Sequence, residues 1–383
     1  MKQIYFDNNA TTPIDPLVKE AMLPFLEDRF GNPSSAHRFG EAAKDALDEA
    51  REQVAALLNC RPRRLFFTGG GTEANNIAIW SAIRSNPEKK HILSSQVEHA
   101  SVLTPLRYLQ KNHGYEISLL PVDTEGGLSL GQLETAIRPD TIMVSLMAAN
   151  NETGVIWPID KIAALCREHA VLFHTDAVQY AGKAPIAAEE LGVDYLTVAS
   201  HKMHGPKGVG ALYAGRKAPL TPLVMGAGQE RGVRAGTENM SGIAGFGKAC
   251  ELALAALDTY CSRTKALRDR LETTIKKEIE DILINGADQP RLANTSNISF
   301  RLCSSAAMIQ ELDEAWIAVS GHSACHSGDL DPSHVLSAMR VPEPYLHGAL
   351  RISLSRMNDG DEVDALLAAL PGIIAKLRKD FAV

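Results

Sequence analysis

The sequence is short of nearly every feature that would remove a chain from the ordinary soluble class. Its six cysteines (Cys60, Cys166, Cys250, Cys261, Cys303 and Cys325) include no C-x-x-C pair and no zinc-type spacing. That argues against a disulfide framework or a metal site and for reduced thiols. No Lys/Arg run is long enough to form a basic stripe, and the formal net charge is −7, so direct nucleic-acid binding is not expected. The opening "MKQIYFDNNATTP" has no apolar core of signal-peptide length. No later segment offers ~18 uninterrupted apolar residues. A cytoplasmic protein without a membrane anchor is expected. Internal repeats and low-complexity linkers are missing as well.

What is present is a chain of 383 residues, 45% hydrophobic and 22% charged, long enough for one or two domains with a large core. Short apolar runs end in polar clusters at 64–70, 91–96, 116–122, 141–150, 171–177, 193–200 and 208–215. Helical periodicity fills most of the gaps, as in "GTEANNIAIWSAIRS" and "IDKIAALCREHA". Strand–helix–strand alternation predicts an α/β fold with a mostly parallel sheet between helices. A long charged helical run over 262–281 leads out of this unit. Beyond it, "TSNISFRL", "AWIAVSG" and "GALRISLSR" predict strands of a smaller α+β unit, against which "IYFDNN" packs. The expected division is 15–256 for the large unit, with 1–14 and 257–383 making the small one.

In an open parallel sheet, ligands bind beyond the carboxyl ends of the strands. There the sequence offers Gly71 and Thr72 after 64–70, His99 after 91–96 and Asn150 and Asn151 after 141–150. It offers Asp176 and Gln179 after 171–177, then Ser200, His201 and Lys202 after 193–200. If these five strands are parallel neighbours, the groups converge on one cleft. The glycine turn at 69–71 does not follow the G-x-x-x-x-G-K-[ST] pattern, so a nucleotide P-loop is disfavoured, although a helix N-terminus there suits an anion. An amine, a carboxylate, a phosphate-type turn and an aromatic ring together meet the needs of pyridoxal phosphate.

The blocks "YFDNNATTPID", "FGNPSSAHRFG", "FTGGGTEANN", "VEHASVL", "AANNETGVI", "HTDAVQYAGK", "SHKMHGPKGVGALY", "AGQERGVRAGTEN", "SGHSACHSG" and "GALRISLSR" run nearly end to end. In this order they resemble the cysteine desulfurases of the class V aminotransferase family. The resemblance implies the aspartate-aminotransferase fold, pyridoxal phosphate as cofactor, L-cysteine as substrate and a homodimer. It implies that Lys202 anchors the cofactor, His99 stacks on its ring and moves protons, and Asp176 pairs with the ring nitrogen. Gln179 and Asn151 would reach the ring-oxygen side. Gly71, Thr72, Ser200 and His201 would hold the phosphate, joined by Thr237 from the other subunit. Arg351 would clamp the substrate carboxylate, with Asn32 as a second substrate-side contact. Cys325 would accept sulfur as a persulfide and pass it to a protein acceptor such as an iron–sulfur scaffold or sulfur carrier, with alanine released.

His322 and His326 flank Cys325 where the family usually has serine or threonine. Either they are solvated loop residues, or an imidazolium between them assists the thiolate. A selenocysteine lyase or another class V pyridoxal-phosphate enzyme is the alternative activity, one that would not need Cys325.

Overall fold

The computed structural model describes residues 3–321 and 332–381. Cys325, His322 and His326 therefore lie outside the described residues. Twelve short strands are found among those described: β1 (Ile4–Tyr5), β2 (Leu65–Thr68), β3 (His91–Ser95), β4 (Glu116–Leu120), β5 (Thr141–Ser145), β6 (Leu172–Asp176), β7 (Tyr195–Ala199), β8 (Gly210–Ala214), β9 (Ile282–Ile284), β10 (Thr295–Phe300), β11 (Ile317–Ala318) and β12 (Ala349–Ser353).

Seven of them form one sheet in the order β2-β8-β7-β6-β5-β3-β4. Neighbours from β7 through β4 pair in parallel, while β8 runs antiparallel to both β7 and β2. The expected mostly parallel sheet between helices is observed, with one correction. The strand at 65–68 is not a neighbour of the other site-bearing strands, because β8 separates it from them. Residues 200–209 join β7 to β8, and a parallel return needs a crossover of a dozen or more residues. The short link leaves only the antiparallel solution.

Most of these strands are buried on both faces, which is why they read as near-continuous apolar runs. Successive side chains go to opposite sides: Leu65, Phe67, Phe173, Leu196 and Val198 join one hydrophobic cluster, whereas Phe66, Ile92, Met143, Tyr195 and Leu212 join another. The first is covered by the helix Arg38–Leu57 through Ala43, Leu47, Ala50 and Val54, and by Ile243, Phe246 and Ala249 of a helix Met240–Glu278. A side chain at Gly247 would stand 2.7 Å from the Ala50 Cα, so glycine sets how closely the two helices approach.

That second helix is 39 residues long and passes unbroken through 256–257. Its first half is apolar enough to cross a membrane by composition, but here it is packed into the core. Its far end contributes Leu271 and Ile275 to a separate cluster with Phe6, Ile298, Phe300, Leu350 and Ile352. Ile298, Phe300, Leu350 and Ile352 belong to an antiparallel sheet β12-β10-β9. The N-terminus crosses to this side, β1 pairing with β11 and Asp7 bridging to Ser353.

Candidate active site

The carboxyl ends of the parallel strands open on a cavity of about 240 Å³. Its lining includes Gly71, Thr72, His99, Asn151, Asp176, Gln179, His201, Lys202 and Arg351. Ser200, between lining residues Ala199 and His201, is fully buried and does not itself line the cavity; its Oγ lies against Gly205 and lacks a hydrogen-bond partner. The structure thus brings most of the sequence-predicted residues together. Asn32 and Thr237 are exposed and do not line the cavity; Asn32 Oδ1 instead accepts from the Ser34 N–H at 2.9 Å.

Each group arrives on a rigid element. Strand β2 ends in Gly69-Gly70, where Gly70 takes φ +144° as the cap of the helix Gly71–Ser85. A side chain at Gly71 would meet Val178 Cγ2 at 2.8 Å, so the helix N-terminus can stand at the cavity wall only as glycine. Free N–H groups there favour an anion. Lys202 closes a 3₁₀ turn Ser200–Lys202 after β7, and its Nζ donates to the carbonyls of Asn9 at 2.6 Å and Ala10 at 2.7 Å.

Asp176 ends β6. Its Oδ1 accepts from the Val178 N–H at 3.0 Å and its Oδ2 from Asn75 Nδ2 at 2.8 Å. The same Asn75 amide donates to Ser101 Oγ at 2.8 Å, and Ser101 contacts His99 Nδ1 through its hydroxyl at 2.8 Å and its backbone N–H at 3.1 Å. Because the backbone N–H can only donate, Nδ1 is an acceptor and the neutral ring carries its proton on Nε2. A relay of polar contacts therefore links the carboxylate to the histidine.

Beneath this wall sit two more titratable groups. Glu98 is fully buried, and burial pushes its carboxyl up to about 8, with the Asp176 charge adding to the rise and bonds from Ser95 Oγ and the Met147 N–H opposing it. His174, between Ser145 Oγ and Thr197 Oγ1, is held down to about 4 by burial and stays uncharged at neutral pH. His201, near Thr11 Oγ1, is likewise lowered to about 4, by burial and then by Lys202, Lys207 and Lys183.

The opposite wall comes from the chain termini. Arg351 on β12 is buried; its Nη2 pairs with Asp7 Oδ1 at 2.7 Å and its Nη1 donates to the Asn151 carbonyl at 3.2 Å, while Nε has no partner. Asn9 ties this wall together. Its carbonyl accepts from Lys202 and from Gln179 Nε2 (2.8 Å), and its Oδ1 accepts from Asn294 Nδ2 (3.1 Å) and Lys183 Nζ (3.2 Å). Sequence reasoning passed over Asp7, Asn9, Asn75, Glu98, Ser101 and Lys183. All six stand inside the motif blocks; Asn75, Glu98, Ser101 and Lys183 share theirs with residues that were singled out, whereas Asp7 and Asn9 lie in a block from which none was. Among the described residues, no group of three or more His, Cys, Asp or Glu is placed to hold a metal ion.

Comparison with known proteins agrees with this geometry. Residues 4–366 match the class V aminotransferase family. A cysteine desulfurase of Nostoc sp. is 46% identical over 378 residues, 99% of this chain and 94% of the relative. A cysteine desulfurase IscS of Dictyoglomus turgidum is 44% identical, covering 98% and 96%. A solved NifS-like protein superposes with a TM-score of 0.92 at 36% identity over 98% of this chain and all of its own.

Proposed function

The chain belongs to the class V aminotransferase family and is a cysteine desulfurase, and from that premise we propose how its residues divide the work. The reading is of a homodimeric cytoplasmic enzyme that uses pyridoxal phosphate to take sulfur from L-cysteine. It leaves alanine and a persulfide on Cys325 for a protein acceptor, such as an iron–sulfur scaffold or a sulfur carrier. The large unit (15–256) carries the cofactor, and the small unit (1–14 and 257–383) carries Arg351 and Cys325, the division falling within the long helix.

The observation that carries this reading is the single cavity lined by Lys202, Asp176, His99 and Arg351. The donor set suits the cofactor's parts: an amine for its carbonyl carbon, a carboxylate for its ring nitrogen, and the Gly71–Thr72 helix end for its phosphate. The unpartnered Ser200 Oγ is a further hydroxyl for the phosphate. His201 completes that set, with Thr237 added from a second copy. Gln179 and Asn151 serve the ring oxygen. When bound, pyridoxal phosphate supplies an electron sink conjugated to the substrate's Cα.

The chain's residues do the rest. Arg351 holds the substrate carboxylate in a bidentate grip that a lysine could not reproduce; its unpartnered Nε and its shared Nη2 are the groups left for that task. Lys202 removes the Cα proton and returns one, and His99, protonated on Nε2, moves a proton on the ring face. The Cys325 thiolate then attacks the substrate Sγ. An S–S bond forms, the Cβ–Sγ bond breaks, and its electron pair stays with Cβ, which takes a proton to become the methyl of alanine.

The test is to incubate purified protein with L-cysteine and a thiol and to measure alanine and sulfide. Cys325→Ser should still perturb the cofactor spectrum on adding L-cysteine yet release alanine at no more than about a hundredth of the wild-type rate. Unchanged alanine release would sink the assignment of Cys325 and favour a lyase that works without a sulfur-accepting thiol.

A further inference from the structure

Lys183 is the least expected group behind the cavity. Its side chain is buried, and among the described residues it makes no ion pair. Its Nζ donates to Gln179 Oε1 at 2.7 Å and to Asn9 Oδ1 at 3.2 Å. Burying an amine without an anion is costly, and a core position would ordinarily take methionine or leucine.

Its two acceptors both lead to Lys202: Asn9 accepts from the Lys202 amine through its carbonyl, and Gln179 donates to that same carbonyl. A glutamine amide can sit either way round, but an amine donating to Oε1 forces Nε2 to the other side. There it meets the Asn9 carbonyl at 2.8 Å, the same oxygen that accepts from Lys202 Nζ. We propose that Lys183 is a positioning residue, which fixes the Gln179 amide and the Asn9 backbone and so holds the Lys202 amine in its working place. The proposal rests on the reading above, in which Lys202 anchors the cofactor and Gln179 faces its ring oxygen.

The surroundings oppose a positive charge at this position. The charged neighbours are cationic: Lys202 after β7 and Arg351 on β12 add to burial in drawing the Lys183 proton affinity well below its usual value. From the long helix come Tyr260, whose hydroxyl burial keeps protonated, and Cys261, whose Sγ donates to the Lys183 carbonyl. The amine donates to both acceptors whether or not it carries the extra proton, so the brace rests on its two hydrogen bonds.

The experiment compares wild type, Lys183→Met, Gln179→Ala and the double variant, each purified with cofactor. Lys183→Met should keep its Tm within about 4 °C and take up pyridoxal phosphate. Its kcat should fall about tenfold with KM within about twofold, and the pH midpoint of the bound-cofactor absorbance should move. Once Gln179 is alanine, removing Lys183 as well should cost less than about twofold more. Lys183→Gln, which retains an N–H donor, should recover part of the loss, and it replaces the Met variant in the cycle if that variant fails to fold. A wild-type kcat and midpoint in Lys183→Met would overturn the proposal, as would losses that multiply in the double variant. If the wild type itself binds no cofactor or releases no alanine, the functional reading has failed instead.

Discussion

The two walls of the cavity are built on different principles. One runs Asp176–Asn75–Ser101–His99, on strand ends and helix starts within about a hundred residues of one another. Its bonds are mostly between neutral groups, with one carboxylate at the end. The other joins Asp7 and Asn9 to residues such as Asn294 and Arg351, 285 and 344 positions away, around a buried guanidinium and two amines. The first wall tunes chemistry with little charge at risk. The second concentrates charge in the core, where losing one partner is expensive.

Asp7→Ala should therefore produce the largest loss of stability. It strands the Arg351 guanidinium, which is buried beside Lys202 and Lys183, and unfolding in urea should show a drop of about 3 kcal/mol. Asn75→Ala, on the neutral wall, should cost about 1–2 kcal/mol of stability while slowing alanine release about tenfold. Equal losses in the two variants would erase the distinction between the walls.

An effect that depends on pH and runs in the opposite direction is expected for Glu98→Gln. The folded protein holds this carboxyl up to about 8, against an ordinary value near 4.5 in the unfolded chain. Between these values the unfolded state gives up the proton and the folded state keeps it, so Glu98 erodes wild-type stability as pH rises through that window. Glutamine is nearly the shape of the protonated acid and cannot titrate. Its stability relative to wild type should climb from pH 5 to pH 8 and level above. Parallel curves would show that Glu98 is ionised in the fold.

How much of this was legible in the sequence follows the same divide. The local wall could be read because strand ends in a parallel sheet announce themselves, and Asp176, His99 and Lys202 each close an apolar run. Asn75 and Ser101 were quoted but not singled out, since their work is to orient others. Asp7, Asn9 and Lys183 were hidden for a different reason. Asp7 and Asn9 find partners in Arg351 and Asn294, at the far end of the chain, and a lysine in "YAGK" reads as solvated until packing encloses it. Strand β8 looked like its neighbours because hydrophobic pattern carries no direction; only the brevity of residues 200–209 does.

The helix Met240–Glu278 has a bearing on how the molecule comes apart. At 1.5 Å per residue it is a beam of about 58 Å, with Phe246 embedded in one core and Leu271 in the other. Helical hydrogen bonds propagate cooperatively, so fraying at either end weakens the support of the opposite one. The two cores are in effect spliced to a common spar, and heat should melt them together in one transition rather than in sequence.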